Sequence, residues 1–98
     1  MVQETKNTKK CKGMRIREVL TSENFRAIMF FDMDEALIGI HRDIVEYPVA
    51  VYSLLKFIEQ LIIKRDMTEE QAIEYYDSNI MPRVKMVDYP IFVDDTGV

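Results

Sequence analysis

Apolar and polar positions alternate most legibly between residues 54 and 80. In the run 68–80, Ala72, Ile73, Tyr76 and Ile80 fall at i, i+1, i+4 and i+8, while Glu69, Glu70, Glu74, Asp77 and Ser78 face the other way. That is the period of an amphipathic helix. Thr68 is placed to cap it, because its hydroxyl can accept a free first-turn N–H while Gln71 reaches back to complete a capping box. Met67 stands where a hydrophobic staple to Ala72 can form. Glu69 and Glu70 set negative charge at the positive end of the helix dipole. Pro82 disfavours helical geometry at Met81 and ends the helix. The preceding run, 53–65, has apolar residues at 54, 55, 57, 58, 61, 62 and 63, a stripe wide enough to predict a mostly buried helix. Lys64 and Arg65 complement its C-terminal dipole. Only Asp66 and Met67 separate the two helices, so the pattern predicts an antiparallel αα-hairpin.

Upstream, the runs 37–42 and 48–52 are short, rich in branched residues and separated by the polar stretch 43–47; they read as two paired strands. Downstream, 89–93 is a third strand candidate, with Pro90 pointing to an edge position or a strand start. The predicted class is α+β: a small antiparallel sheet of about three strands packed on the αα-hairpin, in the order β-β-α-α-β. An N-terminal helix is also expected, but its position stays open. Ser22-Glu23-Asn24 looks like a helix start, while Ala27-Ile28-Met29-Phe30-Phe31 reads equally as a buried strand.

Ninety-eight residues suit one domain with a modest core, expected over 14–93 between a flexible basic arm at 1–13 and a flexible tail at 94–98. The single Cys11 cannot form an internal disulfide or a multi-cysteine metal site, which fits a reducing compartment. No stretch reaches the roughly 18 apolar residues of a membrane span, and no apolar signal region follows the N-terminal charges. A cytoplasmic protein is therefore expected. Charge is uneven: residues 1–17 carry six Lys and Arg against one acid, and residues 18–98 carry seven against sixteen. An acidic body would repel a phosphate backbone, so nucleic acid is not the expected partner. Met14 offers an alternative start that would remove the arm.

One run invites a chemical reading. Ala27-Ile28-Met29-Phe30-Phe31-Asp32-Met33-Asp34-Glu35 is an apolar segment leading into Asp-x-Asp, and it resembles the first motif of haloacid dehalogenase-like phosphatases. The resemblance implies Asp32 as a nucleophile on phosphorus, Asp34 as general acid/base and a Mg²⁺ ion to neutralise phosphate. Glu35 stands where that family usually has glycine, and 64 residues after Asp34 are too few for its doubly wound sheet. The plainer reading makes Asp32, Asp34 and Glu35 a solvated turn before the first strand.

A second resemblance covers more of the chain. Asp34-Glu35-Ala36-Leu37-Ile38-Gly39-Ile40, Val49-Ala50-Val51-Tyr52, Asp66-Met67-Thr68, Glu70-Gln71-Ala72-Ile73-Glu74-Tyr75-Tyr76-Asp77 with Asn79-Ile80, and Pro90-Ile91-Phe92 resemble, in order and spacing, a family of small uncharacterised proteins encoded by tailed phages and prophages. The match spans about residues 34–92 and departs at 81–89, where relatives carry a Gly- and Trp-containing segment. It implies a phage accessory protein that binds a host or phage protein, or a small ligand, in tasks such as host takeover or anti-defence. It supplies no catalytic residues and no cofactor.

Single residues add a candidate binding face. Glu70, Glu74 and Asp77 lie three and four apart on one helix face, and Tyr75 and Asn79 sit near its C-terminal end. Asn79 is placed to bond loose backbone carbonyls there. His41, the only histidine, has no Ser or Cys partner at a recognisable spacing and reads as a strand residue. Five tyrosines and seven methionines suit an adaptable interface wherever they are exposed. Self-association is left open.

Overall fold

A computed structural model describes residues 11–43 and 47–97. Residues 1–10 of the basic arm, the middle of the polar stretch 43–47 and the last residue of the tail lie outside them. Helix α1 spans Lys12–Glu23, strand β1 Leu37–His41, strand β2 Val49–Ser53, helix α2 Leu54–Arg65, helix α3 Glu69–Asn79 and strand β3 Ile91–Val93. The class is α+β, in the predicted order β-β-α-α-β behind an N-terminal helix.

The capping box on α3 is complete. Thr68 Oγ1 accepts from the Gln71 N–H at 3.1 Å, and Gln71 Oε1 accepts from the Thr68 N–H at 2.9 Å, satisfying two backbone donors that would otherwise lack a partner. Ser53 caps α2 in the same way, its Oγ accepting from the Lys56 N–H at 3.1 Å. Between the helices Asp66 takes the left-handed conformation (φ 56°), one that short polar side chains tolerate better than most. The short link turns the chain back, and α2 and α3 pack together. After Asn79 the chain tightens into a 3-10 turn, Met81–Arg83, with Pro82 near its start.

The sheet is mixed, which corrects the all-antiparallel expectation. In the order β1-β2-β3, β1 pairs antiparallel with β2, but β3 pairs parallel with it, Val51 opposite Ile91 and Tyr52 opposite Phe92. Parallel neighbours need a long crossover, and here the αα-hairpin supplies it. As an edge strand, β3 tolerates the adjacent Pro90, whose missing N–H removes no ladder bond.

Two further readings of the N-terminal region are corrected. Ser22-Glu23-Asn24 ends a helix instead of starting one: the Asn24 N–H donates to Leu20 O at 2.7 Å. Residues 27–31 form no strand, because their backbone groups are satisfied elsewhere. The Ile28 N–H donates to Asp88 O at 2.9 Å, the Phe30 N–H donates to Tyr52 Oη at 2.9 Å, and Phe30 O accepts from Arg17 Nη2 at 2.8 Å. Phe30 thereby enters an aromatic cluster with Tyr52, Phe57, Tyr89 and Phe92, ring centroids 5.2 to 6.0 Å from its own. Such edge-to-face and tilted contacts add to the burial of large rings.

Asn24 is buried and fully engaged. Its Nδ2 donates to Pro48 O at 2.9 Å and Asp88 Oδ1 at 3.0 Å, while its Oδ1 accepts from the Arg26 N–H at 3.1 Å. One amide thus ties the end of α1 to the start of β2 and the segment before β3. At the other end of α1, Gly13 packs against the 3-10 turn Asp34–Ala36, so closely that an added Cβ would lie 1.7 Å from Asp34 O.

Helix α2 is less buried than its wide stripe predicts. Phe57, Ile58 and Leu61 are buried, whereas Leu55 and Ile63 are exposed. On α3, Ala72, Tyr76 and the following Ile80 are buried but Ile73 is 45% exposed.

Candidate functional site

Ile73 is exposed because α2, α3 and β3 do not close over one another. Leu54, Leu55 and Ile58 of α2, Ile73 and Tyr76 of α3, Met81 and Phe92 line a groove of about 530 Å³. The contributing positions follow from helical spacing: 54 and 58 are one turn apart on α2, and 69, 73 and 77 lie along one stripe of α3. Met81, 49% exposed, and Leu55, 39% exposed, continue the apolar lining. Glu69, Asp77, Asp94 and Thr96 supply the polar lining, and among the described residues no Lys, Arg or His contributes to it.

The wall formed after β3 is held by short polar contacts. Asp95 Oδ2 accepts from Ser53 Oγ at 2.6 Å, and its Oδ1 accepts from the Leu55 N–H at 2.9 Å, so the residue also occupies a free N–H in the first turn of α2. The Ser53 hydrogen bond, then the Leu55 N–H, hold the Asp95 carboxyl below its ordinary pKa. Asp94 Oδ1 accepts from the Thr96 hydroxyl at 2.7 Å and from its N–H at 3.3 Å. Burial raises the Tyr76 hydroxyl pKa, and the charges of Asp77 and Asp94 raise it further.

Of the five residues expected to form a binding face, only Asp77 lines this groove. Glu70 and Glu74 lie outside the groove lining, on the outer surface of α3, where they share a shallow depression with Ile73, Asp77 and Ser78. Tyr75 and Asn79 lie on its other flank, where Asn79 Nδ2 donates to Tyr75 O at 3.1 Å and the Arg65 guanidinium lies 5.9 Å from the Tyr75 ring centroid. Asn79 satisfies a late backbone carbonyl, the local role expected of it. The tyrosines divide too: Tyr52, Tyr76 and Tyr89 are buried and Tyr47 is exposed. Sequence reasoning missed the groove residues Ile73, Met81 and Leu55, although the width of the α2 stripe was a signal that not every apolar position could be covered.

Asp32 and Asp34 serve different elements. Asp32, in the left-handed conformation (φ 64°), lies 3.1 Å from Lys64 Nζ, which also reaches Glu35 at 2.9 Å. Asp34 Oδ1 accepts from Arg17 Nε at 2.9 Å and Nη2 at 2.6 Å. The segment before Asp32 is not a strand, so neither carboxylate stands at the C-terminal end of a central strand, as the phosphatase arrangement requires. With both drawn onto cations of the protein, the pair does not fit a Mg²⁺ site. Among the described residues no three His, Cys, Asp or Glu side chains group to hold a metal ion, and His41 lies exposed on β1.

A smaller hollow lies at the end of α1. Phe25, 82% exposed, flanks a hollow of about 230 Å³ with Arg26, Asn24, Glu23 and Tyr47. No helix among the described residues is long and apolar enough to cross a membrane. Comparison with protein-family models, curated proteins and solved structures finds no match.

Proposed function

We propose that this protein acts by stoichiometric binding of a partner protein, with the groove between α2, α3 and β3 as the contact surface. One observation carries the reading: Ile73, Met81 and Leu55, each 39 to 49% exposed, line one groove. A concave, mostly apolar surface with a few polar groups at its edge is the usual form of a binding site. The resemblance of residues 34–92 to phage-encoded accessory proteins supports a binding role in the cytoplasm of a host cell, with host takeover or interference with a defence system as tasks of that kind. The phosphohydrolase alternative lacks comparable support, since Arg17 and Lys64 engage the two carboxylates it needs.

Affinity capture from producing cells, run side by side with wild type, Ile73→Arg and Phe25→Ser, tests the reading. A protein held by wild type and Phe25→Ser but lost from Ile73→Arg supports it. Capture indifferent to Ile73→Arg, or no protein above background, overturns it.

A further inference from the structure

The charges along the groove narrow the class of partner. Glu69, Ile73 and Asp77 occupy one stripe of α3 at i, i+4 and i+8. Eight residues at a 1.5 Å rise place the two carboxylate-bearing positions about 12 Å apart along the helix, with the exposed isoleucine midway. Neither Glu69 nor Asp77 forms an ion pair among the described residues. Asp94 adds a third carboxylate from the wall after β3. Asp95, beside it, is already bound to Ser53 and Leu55. Among the described residues, the groove therefore offers an apolar floor with carboxylates along it and no lining cation.

We infer that the groove takes a cationic amphipathic segment of a partner protein, in which Lys or Arg residues bracket a large apolar side chain. The apolar residue sits against Ile73, Tyr76 and Met81, while the flanking cations meet Glu69 and Asp77. A spacing of about 12 Å corresponds to i, i+4 and i+8 in a bound helix, or to i, i+2 and i+4 in a bound extended chain. Long basic side chains suit such a rim because their stems cover apolar surface while their heads reach the carboxylates. An acidic or neutral segment leaves the carboxylates facing like charge or desolvated without a partner, and both outcomes count against binding. This inference rests on the groove being the contact surface, and its test separates the two claims.

The experiment is selection of 12-residue peptides from a random library on the immobilised full chain. Enriched peptides are then titrated against wild type, Ile73→Arg, the rim variant Glu69→Gln/Asp77→Asn/Asp94→Asn and the off-groove variant Glu59→Gln/Glu70→Gln/Glu74→Gln. The expected peptides carry a large apolar residue bracketed by Lys or Arg and fail to bind Ile73→Arg. They bind the rim variant about tenfold more weakly, the sum of three modest ion pairs, and bind the off-groove variant within about twofold of wild type. Enrichment of neutral or acidic peptides that still require Ile73 overturns the cationic partner and leaves the groove standing. Basic peptides weakened equally by the rim and off-groove variants also overturn it, since general acidity then attracts them. Peptides indifferent to Ile73→Arg, or no enrichment, overturn both claims.

Discussion

Around Asn24 and Arg17, polar side chains are turned inward and joined to distant segments; along the groove, Glu69 and Asp77 face outward with no ion pair among the described residues. In the first region Asn24 holds three segments together and Arg17 bonds both the Asp34 carboxylate and the Phe30 carbonyl. Polar groups there are part of the fold, and removing one strands its partners. In the second region apolar side chains stay half-exposed beside acids that pair with no cation among the described residues, so the fold gains little from them. The contrast separates residues that hold the molecule together from residues left over for a partner.

Breaking the inward region is expected to have the largest effect. Asn24→Ala leaves the Asp88 carboxylate and the Pro48 carbonyl short of a donor and is expected to cost about 2–3 kcal/mol, measured by urea unfolding. A loss below about 0.5 kcal/mol would mean that water replaces the amide. Next comes Gly13→Ala, whose new methyl would meet Asp34 O at 1.7 Å. Separation of α1 from the 3-10 turn is expected to cost about 1–3 kcal/mol, despite the better helix propensity of alanine. Unchanged stability would show that α1 can shift without penalty.

The outward region should behave differently. Ile73→Ser removes a side chain already 45% exposed and is expected to cost less than about 1 kcal/mol, with far-ultraviolet circular dichroism unchanged. A larger loss would assign Ile73 to the core. The smallest effect concerns the wall that bounds the groove. The Asp95 carboxyl titrates below its ordinary value, so its contacts stabilise the fold above about pH 4 and lose that contribution as pH falls through the folded-state value. Asp95→Asn is therefore expected to be less stable than wild type at pH 7, with the difference shrinking towards pH 2. A difference independent of pH would contradict the assigned hydrogen bonds.

How much of this was legible in the sequence depended on distance along the chain. The Thr68–Gln71 box is local, so residue type and spacing announce it. Asn24 read as a helix start because Ser-Glu-Asn is also a starting pattern; its deciding partners, Pro48 and Asp88, lie 24 and 64 residues away. The run 27–31 has strand composition, yet its backbone bonds to Tyr52, Arg17 and Asp88 instead of joining the sheet. Periodicity placed Ile73 on the buried face of α3 because it follows Ala72, but a hydrophobic pattern does not show whether a neighbouring layer extends far enough to cover it. Asp77 was found as a member of an acidic face, and only the fold shows that it also lines the groove, whereas Glu70 and Glu74 do not.

The most direct test of the groove is a methyl NMR titration of the full chain, labelled at isoleucine and methionine, with the segment that its captured partner contributes. The Ile58, Ile73 and Met81 methyl signals are expected to shift together and saturate at one equivalent, while Ile28 and Ile40, outside the groove lining, stay in place. Shifts centred on Ile28 and Ile40, with Ile58, Ile73 and Met81 unmoved, would contradict it.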